Sequence, residues 1–302
     1  MTFTFLRGEH VDFASEGLLV VAGTSALMFA RWLIVNTALR PAAIKLMGLS
    51  FKELDGESRA GVEKFCKSGW HFVIYVISAC WGVMILFESE WSVLRSGKFE
   101  QIWLGYPHPG SEKIILKAYF LAHISWYLHG IFESVMVDTS RTDFGLLVIH
   151  HFLAVALLVG AFWGNVHRAT ITMCILQEIS DVVMHFSRIV HKSSAVPWLQ
   201  GRLLHALLLR SFFAAWVGLR ILPTSWVLLK LPSAAPTAGM FIPGRPDFDL
   251  LSGTLYVQLV MLLGMQVTWG LAIGRMCVDQ WRTGRVVERH DARPGPGARK
   301  EL

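Results

Sequence analysis

The chain has 302 residues, 53% hydrophobic and only 17% charged, with a formal net charge of +6 and mean hydropathy of +0.47. A soluble domain carries about a quarter charged residues, and the apolar residues here fall in blocks long enough for a bilayer core of roughly 30 Å. Disorder, a collagen-like repeat and a coiled coil are excluded, and the composition predicts an all-α polytopic membrane protein. The basic residues collect beside the apolar blocks, as in loops facing anionic lipid, and do not form a patch suited to nucleic acid.

Residues 1–17 lack a basic n-region followed by an apolar h-region, so no cleaved signal peptide is expected and the first apolar helix is read as its own insertion signal. Seven segments able to span a membrane follow, near 18–39, 70–87, 114–136, 144–163, 169–190, 203–222 and 251–274. Arg31 interrupts the first, Lys117 the third, and Arg210 and Arg220 the sixth. The fifth carries Glu178, Asp181, His185 and Arg188, so hydropathy alone underrates it. Pro41 reads as a helix stop, and 223–250, with five prolines, reads as an irregular connection at the interface. Cys66, Cys80, Cys174 and Cys277 form no CxxC pair and suggest no disulfide framework.

Seven spans put the termini on opposite sides. With the C-terminus cytosolic, 16 Lys and Arg lie on cytosolic segments and 7 on the other side, so the positive-inside rule predicts a lumenal N-terminus and a cytosolic C-terminus. No glycine-rich phosphate cradle and no internal repeat is present, which leaves ATP chemistry and an inverted-repeat transporter without support.

Ionisable groups inside a membrane are costly and mark a site or a paired network. They concentrate in the fourth and fifth spans. His150 and His151 lie about 10 Å beyond Asp143, and Asp181 lies about 10 Å before Arg188. Glu178 and Asp181, three apart, share one helix face. A short turn at 164–168 predicts that the two helices are antiparallel neighbours, so the histidines and acids are expected to meet at one depth. Three chemistries compete for such a group. One is a buried network that only fixes helix packing. A second is a metal site, for which a single His-His pair without HxxxH boxes is a poor match. The third is acid–base or nucleophilic catalysis, in which a carboxylate fixes the imidazole tautomer and the imidazole accepts a proton or an acyl group. A site within reach of the cytosol suits an acyl-CoA donor and a lipid acceptor.

Residues 140–190 resemble the Lag1 motif of ceramide synthases, in the TRAM–Lag1–CLN8 (TLC) superfamily. The matching landmarks are Asp143-Phe144, His150-His151, Asn165 with Arg168, and Ser180-Asp181, while Lys64–Val76 is similar to the segment entering the family's second helix. Arg220 sits where the family carries an arginine in a late span. The resemblance covers roughly residues 60–275. It implies a helical bundle around a central cavity, preceded by a lumenal N-terminus, one helix and a cytosolic linker (1–59) and followed by a basic tail (276–302). It also implies sphingoid-base N-acylation in the endoplasmic reticulum, with acyl-CoA as co-substrate, no other cofactor and no metal, through a covalent acyl-histidine. On that basis His150 is the expected nucleophile and His151 its supporting or proton-handling partner. Asp181 and Glu178 would orient imidazole or take the amine proton. Asn165, Arg168, Gln177, His123, Tyr127 and Arg220 are expected to support or line the cavity, and a homodimer or accessory subunit is compatible with the resemblance. The chain departs from the family pattern at Gln177-Glu178, where His-Asp is usual, and at His185 and Arg188, in the later Glu and Lys positions. The alternative reading is a non-catalytic member that binds lipid or escorts cargo.

Elsewhere, His129 and Glu133 are expected to pair, and Trp70, Trp81, Trp91 and Trp103 to anchor at the interface or pack. The tail ends Arg299-Lys300-Glu301-Leu302, which resembles a cytosolic dibasic retrieval signal.

Overall fold

The computed structural model describes residues 2–5, 9–50, 55–89, 92–102, 114–136, 142–164, 166–237 and 246–284. Among the described residues seven long helical rods make up the bundle. The first joins α1 (Phe13–Ile34) through a π turn at Val35–Leu39 to α2 (Arg40–Met47). Next come α3 (Gly56–Glu88), a short α4 (Val93–Ser96), α5 (Ile114–Met136), α6 (Phe144–Trp163) and α7 (His167–Lys192). The sixth rod runs from α8 (Arg202–Trp216) through a second π turn at Val217–Ile221 into α9 (Leu222–Thr237), and α10 (Pro246–Thr283) is the seventh. A pair of four-residue strands, β1 (Thr2–Phe5) antiparallel to β2 (Glu9–Asp12), precedes the helices and is the sole β structure among the described residues.

Among the described residues five rods are long and apolar enough to cross a membrane, over 14–47, 56–88, 144–162, 202–230 and 253–283. The other two, α5 and α7, carry many of the bundle's internal polar groups. They are shielded because α7 packs chiefly on α3 and α8, and α5 on α1 and α6. Leu18, Phe29, Trp32, Phe152 and Leu271 stay exposed, as lipid-facing side chains do.

Two expectations need correction, for one shared reason. Pro41 does not stop the first helix, which continues to Met47, and residues 223–237 are helical although Pro223 begins an expected irregular connection. Each proline comes two residues after a π turn, in which Arg40 N–H bonds Val35 O and Leu222 N–H bonds Val217 O. Proline lacks an N–H and its ring clashes with the carbonyl four residues earlier. The wider π turn moves that carbonyl aside, and the helix passes through. What does end the first rod is Gly48, with φ of 68°, which closes a left-handed cap. Residues 40–47 and 56–69 are therefore helical: α2 folds back on the start of α3, and Ala43 and Ile44 bury against Val62, Phe65 and Cys66. Asp55 caps α3 by accepting the Ser58 N–H at 2.7 Å, and that bond holds its carboxyl below the usual range. Residues 238–245 and the tail from 285 lie outside the described residues, and the dibasic signal with them.

The main apolar core fills the half of the bundle away from α2, with Ile85, Leu116, Phe120, Leu158, Ile171 and Ile175 at its centre. Polar side chains from α3, α5 and α7 lie between that core and the α2 elbow.

Candidate active site

Neighbouring residues on a helix point about 100° apart, so the rings of His150 and His151 lean to different helices while both still meet Tyr127. The His151 ring lies directly over Gly130 of α5, where a Cβ would stand 2.6 Å from Nε2. Its Nδ1 is 2.8 Å from Leu147 O, so Nδ1 carries the proton and Nε2 keeps its lone pair. His150 turns toward α10, edge-on to Trp269 at 5.4 Å between ring centroids, and its Nδ1 has no hydrogen-bond partner. Tyr127 of α5 touches both, at 6.2 and 6.1 Å. Trp269 is held in turn by Asp143, which accepts its indole N–H at 3.3 Å. Both histidines are half-buried.

The acids expected beside them are engaged elsewhere. Asp181 forms an ion pair with Arg220, which comes from the second π turn. Arg220 also donates to Ser180 Oγ at 2.5 Å and to Gln177 O at 3.0 Å, and it lies 4.3 Å over the Trp216 ring. Trp216 is fixed by donating to Gln266 O at 2.8 Å. The guanidinium therefore has an anion, two neutral acceptors and a π face, which is what a buried cation in a membrane requires.

Glu178, three residues earlier and so about 60° around the helix, points across α7 toward α3 and α5. Its Oε1 lies 2.6 Å from His123 Nε2 and accepts from Ser78 Oγ at 2.7 Å, while Oε2 faces the Tyr119 hydroxyl at 3.4 Å. Ser78 Oγ is also 3.2 Å from His123 Nε2. His123 Nδ1 donates to Tyr119 O at 2.9 Å.

A third polar group lies one layer nearer α2, since His71 precedes Ser78 by seven residues, or about 10 Å along α3. Glu133 does not pair with His129. Its Oε1 takes Arg31 at 2.9 Å and its Oε2 faces His71 Nε2 at 3.2 Å. His71 stacks on His185 at 4.9 Å, and His129 stacks on Trp126 at 5.3 Å with Trp70 beside it. Trp70 is fully buried and Trp81 meets Tyr119 edge-on, so both are packing residues, whereas Trp91 and Trp103 lie outside the described residues.

The structure thus unites His150, His151 and Tyr127, separately unites Asp181, Arg220 and Gln177, and gives Glu178 to His123. No hydrogen bond joins either histidine of the pair to either acid among the described residues. The reason lies in packing: α6 and α7 share a short turn, but α6 lies mainly against α5 and α10 while α7 lies mainly against α3 and α8. Arg168 is half-buried in the first turn of α7, and Asn165 lies outside the described residues. Among the described residues no three His, Cys, Asp or Glu side chains are grouped to hold a metal ion. Ser78, His71 and Trp269 are the partners that sequence reading missed. Arg31 offered a signal, because a cation within a span needs an anion at its depth. Ser78 offered none, since hydroxyls are common in such helices.

The family model of the TLC domain (TRAM_LAG1_CLN8) matches residues 64–275, well over half of the chain. The chain belongs to the TLC-domain family. Among curated relatives of this TLC-domain chain, it is 23% identical to ceramide synthase hyl-1 of Caenorhabditis elegans over 262 residues, covering 83% of this chain and 66% of that protein. It is 26% identical to ceramide synthase 4 of Mus musculus over 226 residues, 75% of this chain and 53% of that protein. Ceramide synthase LOH1 of Arabidopsis thaliana is 24% identical over 223 residues, 72% and 69% of the two chains. The chain therefore spans between half and somewhat over two thirds of these proteins.

Proposed function

We propose that this TLC-domain chain is a ceramide-forming N-acyltransferase that takes a fatty acyl group from acyl-CoA and delivers it to the amine of a sphingoid long-chain base. The observation that carries the reading is the half-buried His150–His151 pair, with one ring pinned by Leu147 and Gly130 and the other unpinned at Nδ1. The names of the relatives support the substrate class, at identities of 23–26%.

In this mechanism a ring nitrogen of His150 attacks the thioester carbon. The C–S bond breaks, and the thiolate takes up the proton that the imidazole loses. The amine then attacks the acyl-imidazole, the new C–N bond forms, and His150 regains a proton as it leaves. His151, whose Nε2 lone pair is set by the Leu147 bond, handles the proton beside it. Tyr127 and Trp269 close around the His150 ring. Asp181 acts through Arg220, tying α7 to the second π turn and so keeping the bundle registered around the pair. Acyl-CoA enters from the cytosolic side, which carries the C-terminus and the basic segments, in the endoplasmic-reticulum membrane. No further cofactor is invoked.

The test is amide formation by the purified chain with a sphingoid base and a panel of acyl-CoA chain lengths. Wild type should release free CoA and form amide, and His150→Ala should form none. A well-folded wild-type chain that makes no amide at any chain length loses the enzyme reading and leaves a non-catalytic lipid-binding member in its place.

A further inference from the structure

Two polar side chains are buried in the wall formed by α9 and α10 without a partner there. Gln266 of α10 and Thr224 of α9 are each 1% exposed. Among the described residues, neither the Gln266 side-chain amide nor the Thr224 hydroxyl makes a hydrogen bond. A threonine inside a helix can satisfy itself by donating to the carbonyl four residues earlier. Thr24, Thr37, Thr170, Thr172 and Thr268 all do so here, and Thr224 does not.

Antiparallel packing brings the two to one level. A Cβ at Gly274 would stand 3.3 Å from Phe213, and one at Gly270 would stand 3.0 Å from Ile221. One turn farther along both helices, Thr224 comes level with Gln266. An amide and a hydroxyl left unpaired in such an interior cost free energy that leucine and valine would not. Both groups donate and accept but carry no charge, so together they suit an alcohol and not a phosphate or an ammonium ion.

Continuous contacts join this wall to His150. The Gln266 carbonyl accepts the Trp216 indole N–H at 2.8 Å, Trp216 meets Trp269 edge-on at 6.3 Å, and Trp269 meets His150 edge-on at 5.4 Å. Gln266 precedes Trp269 by three residues on the same side of α10. It therefore lies about 4.5 Å farther from the end of the bundle at which Asp143 holds Trp269.

We infer that Gln266 and Thr224 form a hydroxyl-binding subsite for the secondary alcohol next to the reacting amine of the sphingoid base. The inference rests on the acyltransfer reading and deepens it. In such a base the amine-bearing carbon has a hydroxymethyl group on one side. On the other side is the carbon that bears the secondary alcohol and leads into the tail. With the amine at His150, the apolar tail runs into the depth of the bundle and the hydroxymethyl group turns toward the Asp143 end. The secondary alcohol then falls on the tail side of His150, which is the side of Gln266. A base that brings this alcohol pairs the buried amide, and one that lacks it leaves the amide unpaired.

The test compares sphinganine with 3-deoxysphinganine, which lacks only that alcohol, using palmitoyl-CoA as donor to the full chain. Wild type should favour sphinganine by about 10-fold in kcat/KM, the scale of one unmade buried hydrogen bond. Gln266→Leu should bring the ratio close to one, and Thr224→Val should lower it by less. Neither substitution should lower the melting temperature, because each removes an orphaned polar group. Residues that only held the helices together would lose stability and leave the ratio unchanged. An unchanged ratio in Gln266→Leu, or equal use of the two bases by wild type, would overturn the subsite while leaving the acyltransferase standing. A preference for 2-hydroxypalmitoyl-CoA over palmitoyl-CoA that Gln266→Leu abolishes, with the base ratio intact, would assign the pair to the donor chain and overturn it as well. If wild type forms no amide, the acyltransferase is lost. Sphinganine should then still raise the melting temperature more than 3-deoxysphinganine does, and equal shifts would overturn the subsite too.

Discussion

At the scale of single residues, the most constrained contact is between Gly130 and His151. The imidazole rests on the bare backbone of α5, and its outer nitrogen lies where a side chain would begin. Gly130→Ala would introduce a methyl group 2.6 Å from Nε2 and force the ring to turn away from Tyr127. Displacement by about 1 Å near a reacting group costs about 100-fold in rate. Amide formation should fall on that scale while the melting temperature changes little, measured side by side in the same detergent. Unchanged activity would mean that the His151 position is unimportant. The adjacent histidines were legible in the sequence as polar groups placed inside a span, as were Glu178, Asp181 and Arg220. Their partners were not, because spacing along one helix fixes a face and a depth, while the neighbouring helix decides what that face meets.

At the scale of elements, the two π turns change how the prolines are read. A rule drawn from regular helices makes Pro41 and Pro223 stops, whereas the structure threads both through helices loosened two residues earlier. The apolar blocks located the helices well, and even the polar fifth span proved helical, because burial against α3 and α8 replaces lipid contact. The second π turn also delivers Arg220 to α7. Removing one partner of a buried ion pair costs about 3–5 kcal/mol, and Arg220 holds Ser180, Gln177 and Trp216 besides Asp181. Arg220→Leu should therefore lower the thermal stability of the purified chain strongly, and Arg220→Lys by less, because lysine keeps the charge but not the fork. Equal melting temperatures for all three proteins would contradict this account of the tether.

At the scale of the whole molecule, the first rod lies outside the matched residues 64–275 but is bound into the bundle at three depths. Glu16 pairs with Lys117, Thr24 and Ser125 exchange hydrogen bonds with the opposing backbone, and Arg31 reaches Glu133. The charge asymmetry of the loops predicts which way this bundle sits. In sealed microsomes, protease should remove a tag on the C-terminus and spare one on the N-terminus, and the reverse pattern would put the histidine pair out of reach of cytosolic acyl-CoA. The central claim is that His150 carries the acyl group, and it is tested most directly by acid-quenching the chain during a single turnover with palmitoyl-CoA and mapping the added mass. The account predicts a palmitoyl adduct on His150 that disappears when sphinganine is added and is missing from His150→Ala. Rapid amide formation with no adduct on either His150 or His151 at any time would contradict it.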